Sequence, residues 1–153
     1  MADSPAPLRV LIADDDDEFR QTLAQLLEAG GHAAVVGSAR DGAEAVELFA
    51  KLEPDVVLMD VVMPGCDGIE ATKRIVARDA HARVVALSAG DDHRALALCL
   101  AAGARGCLRK SADALALAPL IVALAGAAAK PCQRRWQPRM FVRRSLFGPA
   151  PAG

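Results

Sequence analysis

Val56-Val57-Leu58-Met59-Asp60-Val61-Val62-Met63-Pro64-Gly65-Cys66-Asp67-Gly68 opens with a fully apolar run that ends on a carboxylate. A strand that is apolar at every position has no face to turn to water, which calls for a parallel sheet covered on both sides. Working outward, the same alternation of apolar runs and helical patterns continues in both directions. Ile69, Thr72, Ile75 and Val76 mark a helix downstream, followed by the run Val84 to Leu87. Leu96 to Ala102 reads as a further helix ended by Gly103, Gly106 to Leu108 as a fifth strand, and Ala112 to Ala128 as a fifth helix. Upstream, Pro54 closes a helix carrying Val46 and Phe49 on one face, and Asp41-Gly42-Ala43-Glu44 at its start resembles a capping box. Before it come a strand over Ala33 to Val36 and a helix bearing Phe19, Leu23, Leu26 and Leu27, which stops at Gly30-Gly31. Leu8 to Ala13 is the first strand. Five such units imply an α/β three-layer sandwich with a five-stranded parallel sheet, expected in the order 2-1-3-4-5.

A chain of 153 residues, rich in Ala, Leu and Val and without Tyr, suits one packed domain with a short appendage. Its net charge of −1 conceals an asymmetry. Lys130, Arg134, Arg135, Arg139, Arg143 and Arg144 follow position 129 with no acid among them, which leaves 12 basic against 19 acidic residues before it. Cys66, Cys99, Cys107 and Cys132 show no C-x-x-C spacing and no signal peptide is read ahead of them, so reduced thiols in the cytoplasm are expected. The histidines are scattered and suggest no metal cluster. Ala114 to Ala129 carries no charge, but it is shorter than the ~20 apolar residues of a membrane span, contains Pro119 and is mostly Ala, so it reads as a packed helix.

Sheets of this kind bind ligands beyond the carboxyl ends of their strands, where the strand order reverses. The polar residues sit at those ends: Asp14 and Asp15 after the first strand, Asp60 after the third, Ser88 after the fourth and Lys110 just past the fifth. Any one of them alone would be an ordinary cap or solubilising residue, and Asp14-Asp15-Asp16-Asp17-Glu18 alone would be an acidic helix start. With the first and third strands adjacent, three carboxylates converge. They repel unless a cation neutralises them, and all-oxygen ligands select a hard ion such as Mg²⁺. A carboxylate nucleophile, a magnesium site, a lysine and a hydroxyl are what phosphoryl transfer requires.

From about Leu8 to Ala128 the chain resembles the receiver domain of two-component response regulators, a CheY-like, flavodoxin-like fold. Val10 to Asp15 is similar to that family's acidic-pair strand, and Val57 to Gly68 to its phosphoacceptor loop, with Met63-Pro64 and the Asp67-Gly68 turn. Ala86-Leu87-Ser88-Ala89 resembles its hydroxyl strand and Gly106-Cys107-Leu108-Arg109-Lys110-Ser111 its lysine strand. The Ile12-Ala13-Asp14-Asp15 opening and the Lys110-Ser111 pair lean towards the NarL/LuxR-type branch, which often carries a helix-turn-helix output domain. The resemblance implies that Asp60 accepts the phosphoryl group from a sensor histidine kinase. It implies that Asp15 binds Mg²⁺ directly with Asp14 in support, that the Val62 backbone carbonyl is a further ligand, that Lys110 contacts a phosphoryl oxygen, and that Ser88 shifts towards it after transfer. It also implies a partner or homodimer surface on the fourth helix, fifth strand and fifth helix. The expectation is a phosphoacceptor switch with self-catalysed transfer and slow autodephosphorylation, not a turnover enzyme.

The chain departs from the family at three places. Cys107 stands three before Lys110, where the family has an aromatic residue, and offers far less surface to bury. Ser111 replaces a frequent proline, and about two dozen residues remain where a helix-turn-helix domain needs around sixty. The expected divisions are an extension over 1–7, the receiver over 8–129 and a flexible, basic Pro/Arg-rich tail over 130–153. Trp136, Phe141 and Phe147 among the tail's arginines fit a nucleic-acid contact in type, but nucleic-acid binding through this chain alone is not expected. The competing readings are a DNA-binding regulator with a truncated output domain and a receiver-like scaffold that carries no phosphate.

Overall fold

The computed structural model describes residues 6–63, 65, 67–90, 93–110, 119–121 and 123. Five strands and four helices alternate along them: β1 (Leu8–Ala13), α1 (Asp17–Ala29), β2 (Ala33–Ala39), α2 (Gly42–Leu52), β3 (Val56–Asp60), α3 (Gly68–Arg78), β4 (Val84–Ser88), α4 (His93–Ala101) and β5 (Gly106–Arg109). All four pairings are parallel and the order is β2-β1-β3-β4-β5, as the sequence predicts. The expected fifth helix lies largely outside the described residues; Pro119, Leu120, Ile121 and Ala123 within it are helical. The tail over 130–153 lies wholly outside them. Among the described residues no helix is long and apolar enough to cross a membrane.

The alternation of side chains along each strand builds two cores. Leu11 and Ala13 of β1, Val57 and Met59 of β3 and Val84 and Ala86 of β4 face one layer, where Phe49 of α2, Ile75 of α3 and Cys99 of α4 close over them. Val10, Ile12, Leu58, Val85 and Leu87 face the other, under Leu23 and Leu27 of α1 and Ile121. β3 and β4 are buried at every position, which is why they read as continuous apolar runs. Each fully buried Leu, Ile or Val contributes about 1.5–3 kcal/mol relative to exposure. Burial also pushes the Cys99 thiol up to about 11, so it remains protonated; Cys99 and Cys107 are free.

Two boundaries differ from the sequence expectation. β2 runs on through Gly37, Ser38 and Ala39 because a bulge absorbs one residue: Val10 pairs with Val35 and Leu11 with Gly37. α4 begins at His93, a turn ahead of the apolar pattern. The start of α2 is a variant of the expected box. Asp41 accepts from the Glu44 N–H at 2.8 Å, but Glu44 returns to the N–H of Arg40 at 2.8 Å instead of that of Asp41. Asp41→Ala should therefore lower stability by about 1 kcal/mol, read as a lower urea midpoint with unchanged slope.

Candidate functional site

β1 and β3 are neighbours, so the chain leaves the sheet at Asp14 and at Asp60 side by side. Asp14 follows directly on the buried end of β1 and is itself buried, as is Asp60 at the end of β3. Asp15, next in the chain, is exposed. Carboxylate oxygens of Asp14, Asp15 and Asp60 all lie within 4.8 Å of one another. The remaining acids of the run have separate duties: Asp16 caps α1 by accepting from the Phe19 N–H at 3.1 Å, and Asp17 is the first helical residue. That division leaves Asp14 and Asp15 as the pair gathered beside Asp60.

Lys110 completes the cluster. Its backbone N–H donates to the Ser88 carbonyl at 2.7 Å, which fixes the root of the side chain beside β4. The ammonium reaches Asp60 Oδ2 at 3.1 Å and touches Asp14 Oδ2. It also lies 4.7 Å from the centre of the Phe19 ring, whose electron-rich face favours a cation. Burial works against the charge on Lys110, but Asp14 and Asp60 outweigh it and raise its pKa. Burial, and then the neighbouring Asp14 charge, push Asp60 up to about 6; Lys110 and the Val62 N–H, which donates to Oδ1 at 3.2 Å, pull the other way.

One ammonium does not satisfy two buried carboxylates. Asp14 Oδ1 accepts from the Asp16 N–H at 2.9 Å, whereas Asp14 Oδ2 has among the described residues only the Lys110 ammonium, which it shares with Asp60 Oδ2. Three carboxylates this close, with one ammonium between two of them, offer the all-oxygen donor set that suits a hard divalent cation. Ser88 is buried at the end of β4, where its hydroxyl donates to the Gly90 carbonyl at 3.2 Å and turns into its own loop. Val62 follows Asp60 by two residues, with its side chain 69% exposed at the rim.

Two contributors, Phe19 and Arg20, were not named as site residues from the sequence, and a third, Gly68, was named there only as part of a turn. Phe19 reads as a core residue, and its service to Lys110 depends on where β5 ends. Arg20 is buried to 9% exposure and donates to the Asp14 backbone carbonyl and the Asp17 carboxylate. Its signal was a basic residue flanking the buried stripe of α1, two positions after the last of five acids. Gly68 sits so close to β3 that a Cβ there would lie 2.0 Å from the Asp60 carbonyl oxygen.

Comparison with known proteins agrees with this geometry. The family model for the response regulator receiver domain matches residues 10–121. The transcriptional regulatory protein LiaR of Bacillus subtilis is 41% identical over 114 residues, covering 74% of this chain and 54% of that protein. Among solved structures, the signal receiver domain of the putative response regulator NarL from Mycobacterium tuberculosis superposes with a TM-score of 0.74 at 34% identity, covering 80% of this chain and 98% of that one. A two-component response regulator of the LuxR family from Aurantimonas also gives 0.74, at 33% identity over 79% of this chain and 86% of that one. The chain spans about half the length of LiaR and of the regulator DegU from Brevibacillus brevis. Strand order, paired acids, strand-end Asp60 and Lys110 thus coincide with a family match over most of its length, and the chain belongs to the response-regulator receiver domain family.

Proposed function

We propose that Asp60 is the phosphoacceptor of a switch driven by a sensor histidine kinase. The observation that carries this reading is the cluster of Asp14, Asp15 and Asp60 carboxylates, two of them buried and sharing the single Lys110 ammonium. Mg²⁺, once bound, would neutralise the carboxylates and the phosphoryl oxygens. Asp14 and Asp15 would hold it, with Asp60 and the Val62 backbone carbonyl as further ligands. An Asp60 carboxylate oxygen attacks phosphorus as the bond to the donor imidazole breaks, giving an acyl phosphate and a neutral histidine on the kinase. Lys110 turns from the carboxylates to a phosphoryl oxygen, and the Ser88 hydroxyl leaves Gly90 to donate to another. Water later cleaves the acyl phosphate and resets Asp60; the chain works as a switch, not as a turnover enzyme.

The output reading is coarser. Leu98 and Leu100 on α4 are each 45% exposed and Leu120 is 50% exposed, which suits a partner or homodimer face formed by α4, β5 and the helix after it. A division into an extension over 1–7, a receiver over 8–129 and a basic tail over 130–153 goes with this proposal, as does a cytoplasmic setting. The test is intact mass after incubation with acetyl phosphate. The expected result is a gain of one phosphoryl group that requires Mg²⁺. No gain with either acetyl phosphate or a phosphorylated kinase would leave a receiver-like scaffold.

A further inference from the structure

The acidic run places four Asp and one Glu in succession at the mouth of the site, and nothing in their own chemistry fixes the direction in which the first two point. β1 ends at Ala13, and the Asp14 N–H is still held by the Ala39 carbonyl at 3.0 Å. The Asp14 carbonyl has left the strand ladder, and the acceptor it presents is met by a side chain: Arg20, one turn into α1, reaches back to it with one guanidinium nitrogen. The other terminal nitrogen takes the Asp17 carboxylate. Arg20 is itself anchored, since its N–H donates to the Asp16 carbonyl at 3.0 Å. A buried arginine thus spans the turn that carries both acids, from its first residue to its last.

We infer that Arg20 is the positioning residue of the metal site, acting through the peptide group that joins Asp14 to Asp15. Holding the Asp14 carbonyl sets the plane of that peptide. On one side of it, Asp14 Oδ1 stays on the Asp16 N–H and Oδ2 is left facing Lys110 and Asp60. On the other, the peptide plane sets the direction in which Asp15 leaves the chain. The task requires two donors in a rigid planar fork, because one acceptor is a main-chain carbonyl and the other a carboxylate three residues on. A lysine ammonium brings the charge without the fork. Partners that orient metal ligands typically govern affinity by ten- to a hundredfold, about the effect expected here.

This inference rests on the magnesium reading above, and the experiment separates the two. Mg²⁺ is titrated calorimetrically into the full chain, into Arg20→Lys and into Arg20→Gln, and amide hydrogen exchange is followed without metal. The native chain binds Mg²⁺; both variants keep the fold by circular dichroism and bind about tenfold more weakly. Exchange quickens at the Asp15 and Asp16 amides while β3 and β4 remain protected. Should the Gln variant not fold, the Lys variant decides alone. Native affinity in Arg20→Lys overturns the inference, because a point charge would then suffice. Loss of protection across β3 and β4 overturns it as well, by making Arg20 a general prop of the fold. A native chain that binds no Mg²⁺ overturns the metal reading and this inference with it.

Discussion

Asp60→Asn abolishes phosphoryl uptake and at the same time makes the metal-free protein more stable. The first effect follows from loss of the attacking carboxylate, since an amide oxygen does not form the acyl phosphate under these conditions. The second follows from the crowding of Asp14 and Asp60. In the folded chain Asp60 keeps its proton up to about pH 6, whereas an unfolded Asp releases it near 4. Between those values the folded state binds the extra proton, so the stability this group contributes is present below about pH 4 and is lost as pH rises to about 6. Above that the cost is constant, on the order of 2 kcal/mol, with the pull of Lys110 already included in the shift. Urea unfolding at pH 7.5 should therefore favour the Asn variant, and the difference should close near pH 4. Mg²⁺ should reverse the ranking: at a hundred times its dissociation constant it stabilises the native chain by about 2.7 kcal/mol and the variant by less. Phosphorylation of the Asn variant would put the acceptor elsewhere, and a stability gap independent of pH would refute the electrostatic account.

Gly68→Ala carries the largest expected structural cost. Gly68 is the first residue of α3, its N–H donating to the Val61 carbonyl at 3.2 Å, and an added Cβ would meet the Asp60 carbonyl oxygen at 2.0 Å and Val61 Cα at 3.0 Å. These are backbone atoms with no rotamer to give, so either α3 backs away from the sheet or the end of β3 is pushed aside. Overpacking of this kind costs about 3 kcal/mol. The displaced atoms belong to Asp60, so Mg²⁺ affinity should fall even in the folded fraction. Gly30→Ala is the control: its nearest neighbour is His32 Cδ2 at 3.6 Å and its φ is −77°, so its urea midpoint should barely move. Equal midpoints for the two variants would mean that the Asp60 loop yields freely.

What the sequence made legible was whatever depended on local pattern. β3 and β4 announce themselves because burial on both faces leaves no polar position before their last residues, and the order 2-1-3-4-5 was the expectation for a doubly wound sheet of five parallel strands. Asp14, Asp15, Asp60, Ser88 and Lys110 could be named because strand ends are where this architecture gathers side chains. β2 was read too short because its last residues follow a bulge, and a bulge is a property of the pairing with β1, not of Gly37 or Ser38. Arg20 was passed over for a similar reason: one of its two acceptors is a main-chain carbonyl, which every residue has. Ser88 was named correctly as a strand-end hydroxyl, yet its present partner, the Gly90 carbonyl, could be known only from the loop's conformation.

β5 is one of the two edge strands, four residues long and hydrogen-bonded on one side only, to β4. Lys110 is fastened to its end. A pull on Lys110 is thus borne by an edge strand, whose displacement breaks a single ladder, where moving β3 would break two. The sheet's interior can stay rigid while this rim yields, which makes β5 the mechanically compliant side of the acidic pocket.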